Sequence, residues 1–305
     1  MRSTVSLRTD RTLRAVPRPF RESRDDPKRS QRPTPRDLRP DLRIFPTTLW
    51  EYPSQHYDSP AMREAQKKPR LHRGEEPGRA FEIVGDALVA AGSMQGDKEY
   101  IGATPSWVIW QLLSRYTRES DLVVDPMCGS GTTLDVCRDL KRTGIGFDIN
   151  PQRSDIRHND SRKIPLDSES VDFAFIDPPY STHVQYSGDE RCIGTLDSGG
   201  EDGGKAYYRA MEEVLREMHR VLKPRRYLGV YVSDSWKKKK GEKGGEFMPI
   251  GFELFAIMRK FLTPVDIICC VRHNKKLEYG NWRKAAEEGN FFLRGFNYCF
   301  IMRKT

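Results

Sequence analysis

Two short apolar runs, each ending in an aspartate followed by proline, constrain this chain more than any other feature. The first is Leu122-Val123-Val124-Asp125-Pro126, followed by Gly129-Ser130-Gly131 and then Thr132-Thr133. The second is Val171 to Ile176, followed by Asp177-Pro178-Pro179-Tyr180. A short, β-prone apolar run bounded by turn residues reads as a strand buried on both faces. Gly144 to Phe147, Tyr227 to Val232, Val265 to Val271 and Phe296 to Met302 carry the same signal. Between them lie helical spacings: Ser106 to Tyr116, Thr132 to Lys141, Phe252 to Phe261, and Lys205 to Leu222, whose end is expected at Pro224. Strands alternating with helices predict an open, mostly parallel α/β sheet covered on both faces.

Ligands of such sheets sit beyond the carboxyl ends of the strands. Glycines after Asp125 let the backbone approach a ligand closely. No Gly-Lys-Ser/Thr follows, so this is not a P-loop, and no third glycine completes a dinucleotide fingerprint. The next strand ends in Gly146-Phe147-Asp148. A carboxylate there can accept both hydroxyls of a ribose, which points to a nucleoside cofactor. In the second segment, Asp177 can accept from an amine, the Pro178 carbonyl can accept a second N–H, and Tyr180 can lie flat against a planar base. Together they suit a planar ring bearing an exocyclic NH₂.

Charge and proline are unevenly placed. Residues 1–80 carry +8 of the +9 net charge and 11 of the 20 prolines. Runs such as Arg32-Pro33-Thr34-Pro35-Arg36 cannot hold a helix. We therefore expect a basic, flexible tail over 1–80 and a nearly neutral domain over 81–305. Within the tail, Ile44 to Tyr57 holds Phe45, Leu49, Trp50 and Tyr52 and can dock on the body. No run approaches the roughly 18 apolar residues of a membrane span, and no apolar signal segment follows Met1. None of the six cysteines forms a C-x-x-C pair, so no metal site is expected and the thiols read as reduced. These features predict a cytoplasmic, nucleoid-associated protein.

Asp-Pro-Met-Cys-Gly-Ser-Gly-Thr-Thr and Asp-Pro-Pro-Tyr, with Asp125 and Asp177 52 positions apart, resemble the paired motifs of the S-adenosylmethionine-dependent amino-methyltransferases of DNA. The resemblance covers about residues 100–305. It implies a Rossmann-like class I methyltransferase: α/β, with a mostly parallel seven-stranded sheet and helices on both faces. Residues 100–170 would form the cofactor half and 171–305 the catalytic and substrate half. For S-adenosyl-L-methionine it implies Thr104, Pro105, Asp125, Pro126, Gly129, Ser130, Gly131, Thr132 and Thr133, with Asp148 at the ribose and Asp160 at the adenine. For catalysis it implies Asp177, Pro178, Pro179 and Tyr180. Members with this motif order often carry Asn where Asp177 stands. Asp is commoner in adenine-N6 enzymes, so adenine is favoured over cytosine N4.

The implied partner is DNA, a duplex with the target base flipped out. Three insertions offer substrate contacts: His183, Tyr186 and Arg191 in Ser181 to Gly204; Lys238 in a lysine run; and Arg272, Lys275, Trp282 and Arg283, where basic and aromatic residues mix as in a nucleic-acid groove. Rival readings are an RNA base amino-methyltransferase and a catalytically silent cofactor-binding subunit. If the basic tail holds phosphates, deleting residues 1–80 flattens the salt dependence of nucleic-acid binding, because fewer counterions are released. Titrations at several salt concentrations measure this slope.

Overall fold

The structure, a computed structural model, describes residues 40–60, 81–84, 87–90, 95–97, 100, 102–182, 184–199, 202–238, 245–273 and 280–305. In chain order the elements are β1 (Leu49–Trp50), β2 (Phe81–Val84), β3 (Ala87–Ala90), α1 (Ser106–Tyr116), β4 (Leu122–Asp125), α2 (Thr132–Asp139), β5 (Thr143–Asp148), β6 (Ile156–His158), β7 (Val171–Ile176), α3 (Lys205–Val221), β8 (Leu222–Val232), β9 (Ser235–Lys238), β10 (Gly245–Met248), α4 (Ile250–Met258), β11 (Thr263–Val271), α5 (Gly280–Glu288) and β12 (Phe296–Arg303). The main sheet has the order β1-β11-β12-β8-β7-β4-β5-β6. Strands β4 to β8 pair in parallel, and β12 is antiparallel to both β8 and β11. This is the Rossmann-like class I sheet of seven strands, with β1 added in parallel at the β11 edge.

Burial on two faces explains the apolar runs. All six residues of β7 are buried. Their side chains alternate between two cores. Phe173 and Phe175 point to the α1 and α2 side, with Leu112, Leu113 and Val136. Ala174 and Ile176 point to the α3 and α4 side, with Met211, Leu215 and Leu254. Helix α3 ends at Val221, before Pro224: Leu222 is already extended at ψ 135°. Pro224 therefore lies near the start of strand β8, where the sequence pattern placed it as a helix stop.

Residues 40–60, which the sequence places within the tail, pack on the other described elements. Trp50 and Tyr52 are 2% exposed and Tyr57 3%. The Phe45 N–H donates to Gln111 Oε1 at 3.0 Å, and Gln111 Nε2 donates back to the Arg43 carbonyl at 2.6 Å. Tyr57 donates to Asp139 Oδ2 on α2 at 2.8 Å. The physical reason is aromatic burial: three large rings fill the α1 face of the sheet beside Trp107. Residues 1–39 and 61–80 lie outside the described residues. No helix among the described residues is long and apolar enough to cross a membrane.

Trp50→Ala lowers stability by about 3–5 kcal/mol, the usual cost of deleting a fully buried tryptophan. Urea unfolding of the wild-type and variant proteins measures the loss.

Candidate active site

Strand β4 ends in Asp125, which is 3% exposed. Its Oδ2 accepts from Thr133 Oγ1 at 2.5 Å and its Oδ1 from the Met127 N–H at 3.0 Å. Burial pushes its carboxyl up to about 7, against the pull of those two hydrogen bonds. The bonds tie the start of α2 back to the strand end and so shape the glycine turn. Asp148, at the end of the neighbouring β5, accepts from the Gly129 N–H at 2.9 Å and the Asn150 N–H at 2.8 Å. Gly129 has φ +47°, and a Cβ there would lie 2.9 Å from the Tyr100 ring. Only glycine fits this close, left-handed position.

A cleft opens above this turn. Pro126, Met127, Asp148, Ile149, Asp160 and Ser161 line it, together with Tyr186, Arg191 and Cys192 to Gly194. Asp160 accepts from the Arg162 guanidinium at 2.6 Å. Burial raises its carboxyl, but the Arg162 guanidinium and backbone N–H outweigh it and leave it below the ordinary value.

A second, larger cleft lies on the α1 side of the carboxyl edge. Tyr52 to His56 form one wall, and Tyr180, Tyr231, Arg272 and Asn297 form another. The two clefts share Tyr100 and Asp177. Asp177 directly follows β7. Its Oδ2 accepts from Thr104 Oγ1 at 2.5 Å and its Oδ1 from the Tyr180 hydroxyl at 2.6 Å. Burial pushes its carboxyl up to about 7, opposed by those two hydroxyls and by the charge of Arg272. The Pro179 carbonyl accepts from Tyr207 at 2.8 Å, which pins the proline turn onto α3.

The structure sorts the residues singled out in the sequence. Pro126, Asp148 and Asp160 line the first cleft. Asp125, Ser130, Thr132 and Thr133 are buried beneath it, with the Ser130 and Thr132 hydroxyls 2.7 Å apart. Gly131, at φ +78°, is covered by the Arg153 guanidinium. Thr104 holds Asp177, and Pro105 lines the second cleft rather than the first. Pro179 borders the first cleft and Tyr180 the second. Pro178, the residue after Asp177, is buried.

Tyr186 and Arg191, read as substrate contacts, line the first cleft. Arg191 pairs with Asp189 at 2.6 Å, and the Tyr186 carbonyl accepts from Asn150 at 2.9 Å. Of the other basic positions, Arg272 lines the second cleft. Trp282 and Arg283 lie on α5, which buries none of its residues, and Lys238 lies on the β9–β10 hairpin. His183 and Lys275 lie outside the described residues. Sequence reasoning missed Tyr100, which carries no motif signal beyond its nearness to Thr104-Pro105. It also missed the walls formed by Tyr52 to His56 and by Asn297.

An eight-stranded sheet of this order, with acids at the carboxyl ends of β4, β5 and β7, defines a class I methyltransferase. The chain belongs to the DNA methylase family of N6/N4 methyltransferases, whose model matches residues 24–159 and 171–305. The type II methyltransferase M.HpaI of Haemophilus parainfluenzae is 29% identical over 132 residues, which is 43% of this chain and 29% of that protein. The chain thus spans less than a third of that curated relative. Among solved structures, TrmN of Thermus thermophilus is 14% identical over 67% of this chain and 50% of its own, with a TM-score of 0.42. The protein TTHA0409 of Thermus thermophilus, solved with S-adenosyl-L-methionine, is 19% identical over 48% of this chain and 53% of its own, with a TM-score of 0.34.

S-adenosylmethionine is the family's cofactor, and the lining of the first cleft has the chemistry to hold it. Asp148 and Asp160 offer acceptors for a ribose and an amino-purine, Pro126, Ile149 and Ile193 offer apolar surface, and Asp177 closes the end toward the second cleft. The hydrogen bonds to Asp177 yield a pH prediction. Both donors favour its ionised form, so Thr104→Val raises the pH at which Asp177 titrates, from about 7 by roughly half to one unit. Carboxyl-carbon NMR of the two proteins reads the shift; a downward move contradicts the assignment.

Proposed function

We propose that this protein transfers the methyl group of S-adenosylmethionine to an exocyclic amine of a DNA base, adenine N6 ahead of cytosine N4. The observation that carries the reading is the shared border of the two clefts: Asp177 faces both. When bound in the first cleft, the cofactor supplies an electrophilic methyl on a sulfonium. Everything else is supplied by this chain's own groups.

An exocyclic amine is a weak nucleophile because its lone pair is delocalised into the ring. Asp177 accepts one of its hydrogens and the Pro178 carbonyl the other, which draws the nitrogen toward tetrahedral geometry. Tyr180 and Thr104 hold the carboxylate in place through hydrogen bonds of 2.6 and 2.5 Å. As the nitrogen gains a fourth bond it acquires positive charge. Asp177, with a carboxyl at about 7, is matched to take the surplus proton at neutral pH. Catalysis of this kind is positioning and local electrostatics, without a covalent enzyme intermediate. A base in a duplex reaches Asp177 only by leaving the stack, and Tyr180 in the second cleft offers ring surface to receive it.

Purified protein incubated with labelled S-adenosylmethionine and, separately, duplex DNA and total RNA tests the reading, with products digested to nucleosides and identified by mass. N6-methyladenine from DNA is expected. Asp177→Ala reduces transfer by about 100-fold or more, the scale seen when a positioned polar group at a reacting centre is removed, while cofactor affinity stays within about threefold. Methylation of RNA alone overturns the DNA assignment, and an unchanged rate for Asp177→Ala overturns the mechanism.

A further inference from the structure

Asn297 is the second residue of β12 and stands at the carboxyl edge of the parallel strands. Alternation along β12 puts Cys299 and Ile301 on the α1 side of the sheet, and Asn297 shares their side. Along β7, Phe173 and Phe175 face that same side, and Asp177 continues the alternation. Tyr231 of β8 belongs to this core as well. Crossing the edge from β7 to β11, one therefore meets Asp177, Tyr231, Asn297 and Arg272, and all four line the second cleft. Their nearness is also electrostatic: the charge of Arg272 acts on Asp177, and both act on the Tyr231 hydroxyl.

The carboxamide is out of place for a structural residue. Asn297 is 5% exposed, and its Oδ1 is buried without a hydrogen-bond partner among the described residues. An orphaned buried acceptor destabilises a fold, whereas an apolar residue of the same size would not. The next positions on this face of β12 are the apolar Cys299 and Ile301. A carboxamide kept at this cost on the wall of a cleft points to a role there rather than in the core.

We propose that Asn297 contacts the target base and positions it for transfer, a role that rests on reading the second cleft as the base site. With the amine at Asp177, the ring atom next to the amine-bearing carbon is an unprotonated nitrogen in both adenine and cytosine. A carboxamide offers a donor and an acceptor, and rotation about its last bond exchanges them. Nδ2–H donates to the ring nitrogen. The base is thereby held at two points of one edge: its amine at Asp177 and its ring nitrogen at Asn297.

Asn297→Leu tests this with three readouts on one preparation. The melting temperature is expected to hold or rise, because an orphaned acceptor has been removed. Affinity for S-adenosylmethionine is expected to stay within twofold, because Asn297 lies outside the first cleft. The kcat/KM for DNA is expected to fall about tenfold, the scale of one hydrogen bond. A second measurement uses DNA whose mapped target carries CH in place of that ring nitrogen, 1-deazaadenine or 3-deazacytosine. The wild-type protein loses about tenfold on the analogue, and Asn297→Leu loses nothing further. Indifference of wild-type protein to the analogue, or a variant within twofold of wild type on ordinary DNA, overturns the role of Asn297 while leaving DNA methylation standing. Wild-type protein that methylates no DNA overturns both.

Discussion

Strands β7, β4 and β5 are neighbours, and each ends in or runs directly into an aspartate: Asp177, Asp125 and Asp148. Three carboxylates at one edge of a buried sheet oppose one another. Burial carries Asp125 and Asp177 up to about 7, and the charges of Asp177 and Asp148 add to the rise at Asp125. The chain answers with neutral donors. Thr133 and the Met127 N–H serve Asp125, the Gly129 and Asn150 N–H groups serve Asp148, and Thr104 and Tyr180 serve Asp177. These donors come from several different loops and helix starts. The acids therefore fix the glycine turn, the start of α2, the segment before α1 and the proline turn relative to one another. Much of the site's geometry follows from satisfying three carboxylates.

The N-terminal segment extends this order to the second cleft. Strand β1 is only two residues long, yet it continues the sheet beyond β11. The chain after it, Tyr52 to His56, becomes a wall of the cleft that Tyr180 and Tyr231 also line. The Gln55 carbonyl accepts from the Ser106 N–H at 2.9 Å, at the first residue of α1. That bond places the wall close in sequence to Thr104, the residue that holds Asp177. Anchoring by Trp50, Tyr52 and Tyr57 is thus coupled to the position of the reacting edge through a short run of backbone.

Much of this was legible in the sequence because the signals are local. An apolar run followed by Asp-Pro announces both a buried strand and what stands at its end, and Asp125, Asp148 and Asp177 fall where that reading puts them. What the sequence does not declare is non-local. Strand β1 pairs with a strand far along the chain, Leu49 opposite Cys269, and so short a segment carries no periodicity. Asn297 reads as an ordinary polar residue in a strand; only the neighbouring strands show that it is buried. Arg191 reads as a substrate contact, and its pairing with Asp189 depends on a turn whose shape the sequence does not declare. Thr104 and Pro105 were placed on the cofactor by resemblance, while the fold brings the Thr104 hydroxyl to Asp177.

The acid at position 177 carries one further consequence. Asparagine, which often stands there in proteins with this motif order, accepts a hydrogen bond equally well through its carbonyl but cannot take a proton at neutral pH. Methylation of an amine nitrogen leaves one proton too many on that nitrogen. With an amide, the proton must leave through solvent or a chain of other groups. On the proposed reading, with Asp177 at about 7, the oxygen that orients the amine also receives the proton as the new bond forms. Burial is what makes this possible: an exposed aspartate, near ~4, would be too weak a base to gain from the transfer. The apolar surroundings that make the carboxylate costly to bury are therefore the same surroundings that fit it to the reaction, and the two hydroxyls on it keep that cost small enough for the ionised form to persist at neutral pH.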